Sequence, residues 1–218
     1  MGPDSERERK DLVERLGKWG YVESAAVRRA FLAVPRERFV PEDLRRSAYE
    51  DVPLPIGGGQ TISAPSMIAI MLEEAALREG EAVLEVGTGS GYNAALLAEI
   101  VGPDRVVSIE RHPELAELGR ANLATCGYRV EVVVGDGTKG YPPWAPYDCV
   151  MATAGAPRIP KPWMDQTKVG GRIVAPIGRS RLSQVLVTAR RTSESKWETK
   201  EGTPCAFVPL IGSEGWRE

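Results

Sequence analysis

From residue 82 to about 178, short apolar runs alternate with stretches of helical length. "AVLEV" gives way to "YNAALLAEIVG" and "RVVSIE" to "PELAELGRANLATCG"; "VEVVVGDG", "YDCVMATA" and "GGRIVAPIG" then repeat the apolar signature. Strands that read as continuous apolar runs bury both faces when they lie parallel with helices packed on either side. The alternation therefore predicts an α/β chain with a Rossmann-like, doubly wound, mostly parallel sheet. Residues 5–50 read as an N-terminal helical extension. Leu12, Val13, Leu16 and Trp19 share one face, Ser24 suits an N-cap, and Pro35 and Pro41 break the pattern. Pro65 suits the first turn of a helix through "SMIAIMLEEAAL". "SQVLVTARR" and "KWETKEGTPCAFVPLIG" predict antiparallel C-terminal strands along one sheet edge. At 218 residues the chain reads as one domain, with the extension over 1–80 and the core with its closing strands over 81–218.

In such a sheet, ligands bind beyond the carboxyl ends of the strands. The first core strand ends in Glu85 and Val86 and runs into Gly87, Thr88, Gly89, Ser90 and Gly91. Glycines there allow a tight turn and let a ligand touch the backbone at a helix N-terminus. A dinucleotide fingerprint would require glycine at position 92, which is Tyr92. Glu110 ends the second strand, 23 residues after Gly87, and Arg111 follows it. An acidic residue at about that distance suits the hydroxyls of a ribose; the geometry holds for any adenosine-containing ligand. Glu85, inside its strand, needs polar partners near the strand end. Gly135, Asp136 and Gly137 turn at the same rim, where Asp136 suits an adenine amino group, although an Asp-Gly pair is also an ordinary turn.

Upstream lies "IGGGQTISAPS", residues 56–66. Gly57, Gly58 and Gly59 favour neither helix nor strand, and they stand directly before Gln60, Thr61, Ile62 and Ser63. Taken with "VLEVGTGSGYNAALLA", Glu110 and "GDG", the chain resembles a class I S-adenosylmethionine-dependent methyltransferase. "YEDVPLPIGGGQTISAPSMIAIML" is similar to the pre-core signature of the protein-L-isoaspartate O-methyltransferases. "QTKVGGRIVAPIG" and "FVPLIG" resemble that family's closing segments, and the likeness covers roughly residues 30–212. Thr167 departs from it, standing where an apolar residue is usual, and the N-terminal helices and last residues match nothing in the pattern.

The resemblance implies methyl transfer from S-adenosyl-L-methionine, leaving S-adenosyl-L-homocysteine, to the free α-carboxylate of isoaspartyl residues in damaged proteins and peptides. It places the active-site serine at Ser63, as an orienter of the carboxylate and not as a nucleophile. It further implies cofactor contacts from residues 60–62, 85–90, 110–111 and 135–137. Substrate contacts would come from Gly57, Gly58, Gly59, Thr61 and Ser63, with Phe207 and Val208 of the tail beside the peptide. A carboxylate is ionised at neutral pH, its reference pKa being about 3–4, so the reaction needs alignment and removal of water more than a base. His112 is the only histidine, which also weakens a serine-hydrolase reading.

Three other functions compete. An N-methylating enzyme would carry an (N/D)-P-P-(Y/F) loop where this chain has "TAGAP"; a nicotinamide oxidoreductase is disfavoured by Tyr92; a catalytically silent cofactor binder would not need Ser63. A formal charge of −2 argues against nucleic acid or an anionic membrane as partner. No apolar run approaches 18 residues, and the N-terminus "MGPDSERERKDLVERLG" is charged. Three scattered cysteines suggest buried free thiols in a reducing compartment, without a metal site. A cytoplasmic monomer is the expectation.

Overall fold

The computed structural model describes residues 3–217. Two helices open the chain, α1 (Pro3–Lys18) and α2 (Ala25–Ala33). Leu12, Val13 and Leu16 are buried as their spacing predicts, whereas Trp19 lies beyond the end of α1 and is half exposed. Ser24 caps α2, its side chain accepting from the Val27 amide at 3.2 Å. Pro35 and Pro41 precede short 3-10 segments, Arg36–Arg38 and Glu42–Ser47.

Strands β1 (Leu54–Gly57) and β2 (Gln60–Ile62) then form an antiparallel hairpin that the sequence reading missed. Gly57, Gly58 and Gly59 take φ of +94°, +59° and +70°. L side chains are strained in that region, so consecutive glycines make the tight reversal possible. The glycines therefore shape a turn. Pro65 does open the next helix, α3 (Pro65–Ala75).

The core follows as β3 (Val83–Val86), α4 (Tyr92–Val101), β4 (Val106–Glu110), α5 (Pro113–Thr125), β5 (Glu131–Val134), β6 (Tyr147–Ala152), α6 (Lys161–Gln166), β7 (Thr167–Ser180), β8 (Ser183–Arg191) and β9 (Trp197–Cys205). Seven strands form one sheet in the order β5-β4-β3-β6-β7-β8-β9. The first five are mutually parallel, with Val86 beside Ile109 of β4 and Ala152 of β6; β8 and β9 are antiparallel. The order reverses between β3 and β6, which creates a switch-point crevice at the carboxyl ends. One apolar cluster gathers α1–α4 against the sheet, and a second gathers Leu84, Val107, Val150 and Ile173 with Trp163 of α6.

The tail corrects the sequence reading in one respect. β8 and β9 close the edge, but "FVPLIG" leaves the sheet and folds back over its carboxyl end. There the Gly155 amide donates to Val208 O, and the Leu210 amide to Gly155 O, both at 2.8 Å. Thr167 fits its buried position because its hydroxyl donates to Trp163 O at 2.7 Å. Of the cysteines, all unpaired, only Cys149 is buried; Cys126 and Cys205 are partly exposed.

Arg172 of β7 ties the helical layer to the sheet. Its Nε donates to Ala75 O at 2.5 Å and its Nη2 to Ala76 O at 3.2 Å, where α3 ends in a left-handed residue. Its two terminal nitrogens also grip both oxygens of Glu81, at 3.0 and 2.5 Å. Removing a buried partner strands the remaining polar groups. Arg172→Met is expected to cost about 3 kcal/mol, read as a lower midpoint in urea unfolding; an unmoved midpoint would show that these bonds contribute nothing net.

Candidate active site

The glycine turn after β3 is held by a polar chain beneath it. Glu85 is fully buried in β3; it accepts from Asn93 Nδ2 of α4 at 2.8 Å and from the Ser108 hydroxyl of β4. Thr88 Oγ1 lies 2.6 Å from Ser108 Oγ and so joins the same chain. Gly87 has φ +101°, and a Cβ there would stand 2.5 Å from Thr153 Oγ1, which donates to Gly87 O at 2.8 Å. No larger residue fits that backbone. Glu110, at the end of β4, accepts from the Gly89 amide at 3.0 Å and from the His112 amide at 3.1 Å. Its carboxylate thereby spans the glycine turn and the start of α5.

Above this floor is a cavity to which several separate stretches of chain contribute. Gln60, Thr61, Ile62 and Ser63 come from β2 and its exit. Val86, Gly87, Thr88, Gly89 and Ser90 come from the turn after β3. Glu110 and Arg111 come from the end of β4, Gly137 from the turn after β5, and Val208 from the returning tail. All of these residues are ones the sequence reading expected at the site, and they line one cavity. Ser63 is partly exposed, and among the described residues its hydroxyl has no hydrogen-bond partner.

Other expected site residues stand elsewhere. Glu85 lies behind the wall, turned toward Asn93 and Ser108. Gly57, Gly58 and Gly59 form the exposed hairpin tip and do not line the cavity. Phe207 packs into the core, and its amide donates to Gln184 Oε1 at 2.7 Å. Gly135 and Asp136 border an adjoining depression with Arg111 and Trp216. Asp136 Oδ1 accepts from the Thr138 amide and hydroxyl, and Oδ2 from the Ser213 amide at 2.9 Å. Burial pushes this carboxyl up, but the bonds from Ser213 and Thr138 outweigh it and hold it below its ordinary value. Asp136 thus fastens the tail over the rim.

Sequence reasoning missed Tyr92 and Thr153 as cavity residues, and singled out His112 only as the one histidine. His112 starts α5, as its N-cap, and lines the cavity as well. Tyr92 stands in the first turn of α4, directly after the glycines, and its ring also packs against Phe31 and Phe39.

Burial is the main cause that raises the Glu85 carboxyl, to about 7, against the opposing bonds from Ser108 and Asn93. A raised acid binds its proton more tightly when folded, so its contribution is complete below about pH 4.5 and is lost as pH rises through about 7. Across that window the loss amounts to about 3 kcal/mol. Unfolding stability compared at pH 5 and pH 8 is expected to fall more in the native chain than in Glu85→Gln. Identical pH profiles would remove Glu85 as the titrating group.

The family model for protein-L-isoaspartate(D-aspartate) O-methyltransferase (PCMT) matches residues 7–215. A protein-L-isoaspartate O-methyltransferase of Hyperthermus butylicus is 56% identical over 220 residues, 96% of this chain and 91% of that one. One from Methanopyrus kandleri is 55% identical, over 97% and 95% of the two chains. Among solved structures, a protein-L-isoaspartate O-methyltransferase superposes with TM-score 0.83 at 33% identity, covering 95% of this chain and 67% of the other. A Plasmodium falciparum structure in complex with S-adenosyl-L-homocysteine shares the fold, with TM-score 0.82 at 23% identity over 93% and 98% of the chains. With the glycine turn, Glu110 and residues 60–63 gathered around one cavity, and with this match over nearly its whole length, the chain belongs to the protein-L-isoaspartate(D-aspartate) O-methyltransferase family.

Proposed function

We propose that this chain methylates the free α-carboxylate of L-isoaspartyl residues in damaged proteins and peptides, initiating their repair. The observation that carries the reading is one cavity shared by the Ser63 hydroxyl and by the Glu110–glycine-turn pair. The residues present fit S-adenosylmethionine. The Glu110 carboxylate is held open-sided by two backbone amides, where it can accept from ribose hydroxyls, and Val86 and Ile109 add apolar surface. When bound, that cofactor supplies an electrophilic methyl group on a positively charged sulfur.

The protein's own groups do the rest. Ser63, with no other partner, donates to the substrate carboxylate without protonating it; Thr61 offers a second hydroxyl beside it. Neither has to act as a base, because the carboxylate is already ionised. The tail at Val208 and Pro209 and the apolar side chains of Ile62 and Ile68 exclude water, which strengthens every dipole aimed at the carboxylate. In this reading Gln60, Thr61, Ile62, residues 86–90, Glu110, Arg111 and Gly137 hold the cofactor, and Thr61, Ser63 and Val208 the peptide. The chain works as a single-domain cytoplasmic monomer on peptide and protein substrates, with neither nucleic acid nor membrane as partner.

Labelled S-adenosylmethionine supplied with paired isoaspartyl and aspartyl peptides is expected to yield base-labile label in the isoaspartyl peptide alone. Equal labelling of both, or of neither, defeats the assignment. Ser63→Ala is expected to lower kcat by about 10²-fold or more, with affinity for S-adenosylhomocysteine unchanged; a fully active variant takes Ser63 out of the mechanism. Glu110→Ala is expected to weaken S-adenosylhomocysteine binding in titration calorimetry by at least ~10-fold, and unaltered affinity would refute the ribose role.

A further inference from the structure

Arg36 is a cation enclosed by main-chain carbonyls and an aromatic ring. It is fully buried in the 3-10 segment after α2, and among the described residues no carboxylate is bonded to it. Its Nε donates to Ala48 O at 2.9 Å and its Nη2 to Ser63 O at 2.8 Å. The guanidinium carbon lies 4.9 Å from the centroid of the Tyr92 ring, within cation–π range. Nη1 is buried with no partner. Burial pulls the group down to about 10, against Tyr92 and Asp51, so it remains charged at neutral pH.

Such an arrangement is costly, because the charge is desolvated and one donor is orphaned, even though Arg36 also satisfies Ala48 O and Ser63 O. What distinguishes Arg36 is its position. Two of its neighbours, Ser63 and Tyr92, line the cavity, while Arg36 itself does not. The positive charge therefore stands one residue behind the wall that carries the Ser63 hydroxyl.

We propose that Arg36 is a positioning residue for the substrate carboxylate: it anchors the Ser63 main chain from behind and gives that wall a positive field which an incoming anion completes. This rests on the carboxyl-methylation reading. Asp51 reaches Arg36 only through space and accepts instead from the Ser66 amide. An anion arriving at Ser63 adds negative charge on the cavity side, so the enclosed cation favours a carboxylate over a neutral group of the same shape. Bonding through Ser63 O and stacking on Tyr92 keep the field aimed, since the guanidinium is planar and held at two edges.

The test measures a preference and not only an activity. An isoaspartyl peptide and its α-carboxamide analogue are each titrated into enzyme saturated with S-adenosylhomocysteine. The unmodified chain is expected to bind the carboxylate form at least ~10-fold more tightly. In Arg36→Met the ratio is expected to fall to within ~2-fold, with S-adenosylhomocysteine affinity unchanged; in Arg36→Lys, which keeps the charge but not the two-edged grip, it is expected to be intermediate. A merely structural role would weaken both peptides by the same factor and leave the ratio intact. That result in Arg36→Met, or in Arg36→Lys should the first variant fail to fold, overturns the proposal while methylation by the unmodified chain still stands. An unmodified chain that binds both peptides alike and methylates neither overturns the proposal together with the carboxyl-methylation reading.

Discussion

The architecture of the site depends on one buried carboxyl group. Glu85 has no access to water and draws its partners from two different elements, Ser108 on β4 and Asn93 on α4. A polar group so enclosed is tolerated only when its hydrogen bonds are made. Satisfying it fixes the spacing between two parallel strands and the first turn of the helix that follows. The turn between them, residues 87–91, inherits that spacing, and Thr88 extends the chain to the turn itself. Glu110 can then reach the Gly89 amide across the gap. Shift any of the three elements, and the acceptor meant for a ligand no longer meets the backbone that presents it.

Much of this was legible in the residues. Parallel strands buried on both faces leave continuous apolar runs, and the chirality and switch-point rules then locate the crevice before any side chain is placed. Glu110 was readable because its distance from Gly87 reflects one helix and one strand. What failed shares a cause. Glu85, Asp136 and Phe207 sit beside genuine cavity residues in sequence, but strand alternation or tail geometry turns them away, and a motif carries no information about which way a side chain points. The triple glycine misled in another manner: freedom to approach a ligand and freedom to adopt positive φ demand the same residue.

Arg36 and Arg172 left almost no trace in the sequence. Each is a buried cation that donates to main-chain carbonyls far away in the chain, Ala48 and Ser63 for one, Ala75 and Ala76 for the other, which also pairs with Glu81. Carbonyl acceptors exist at every position, so no residue type announces them. Only the folded arrangement shows that one arginine pins α3 to the sheet at its end, while the other lies beneath the segment that leads into the start of α3.

The fastening of Asp136 has a consequence for the chain's own durability. An aspartate followed by glycine is one of the steps at which a polypeptide readily cyclises through the side chain and reopens as the isomerised linkage. Here the carboxylate is engaged by Thr138 and Ser213 at both oxygens. Closing a ring onto the Gly137 nitrogen would first break those bonds. The same clamp that holds the tail over the rim thus shields a member of a repair family from acquiring the lesion in its own rim.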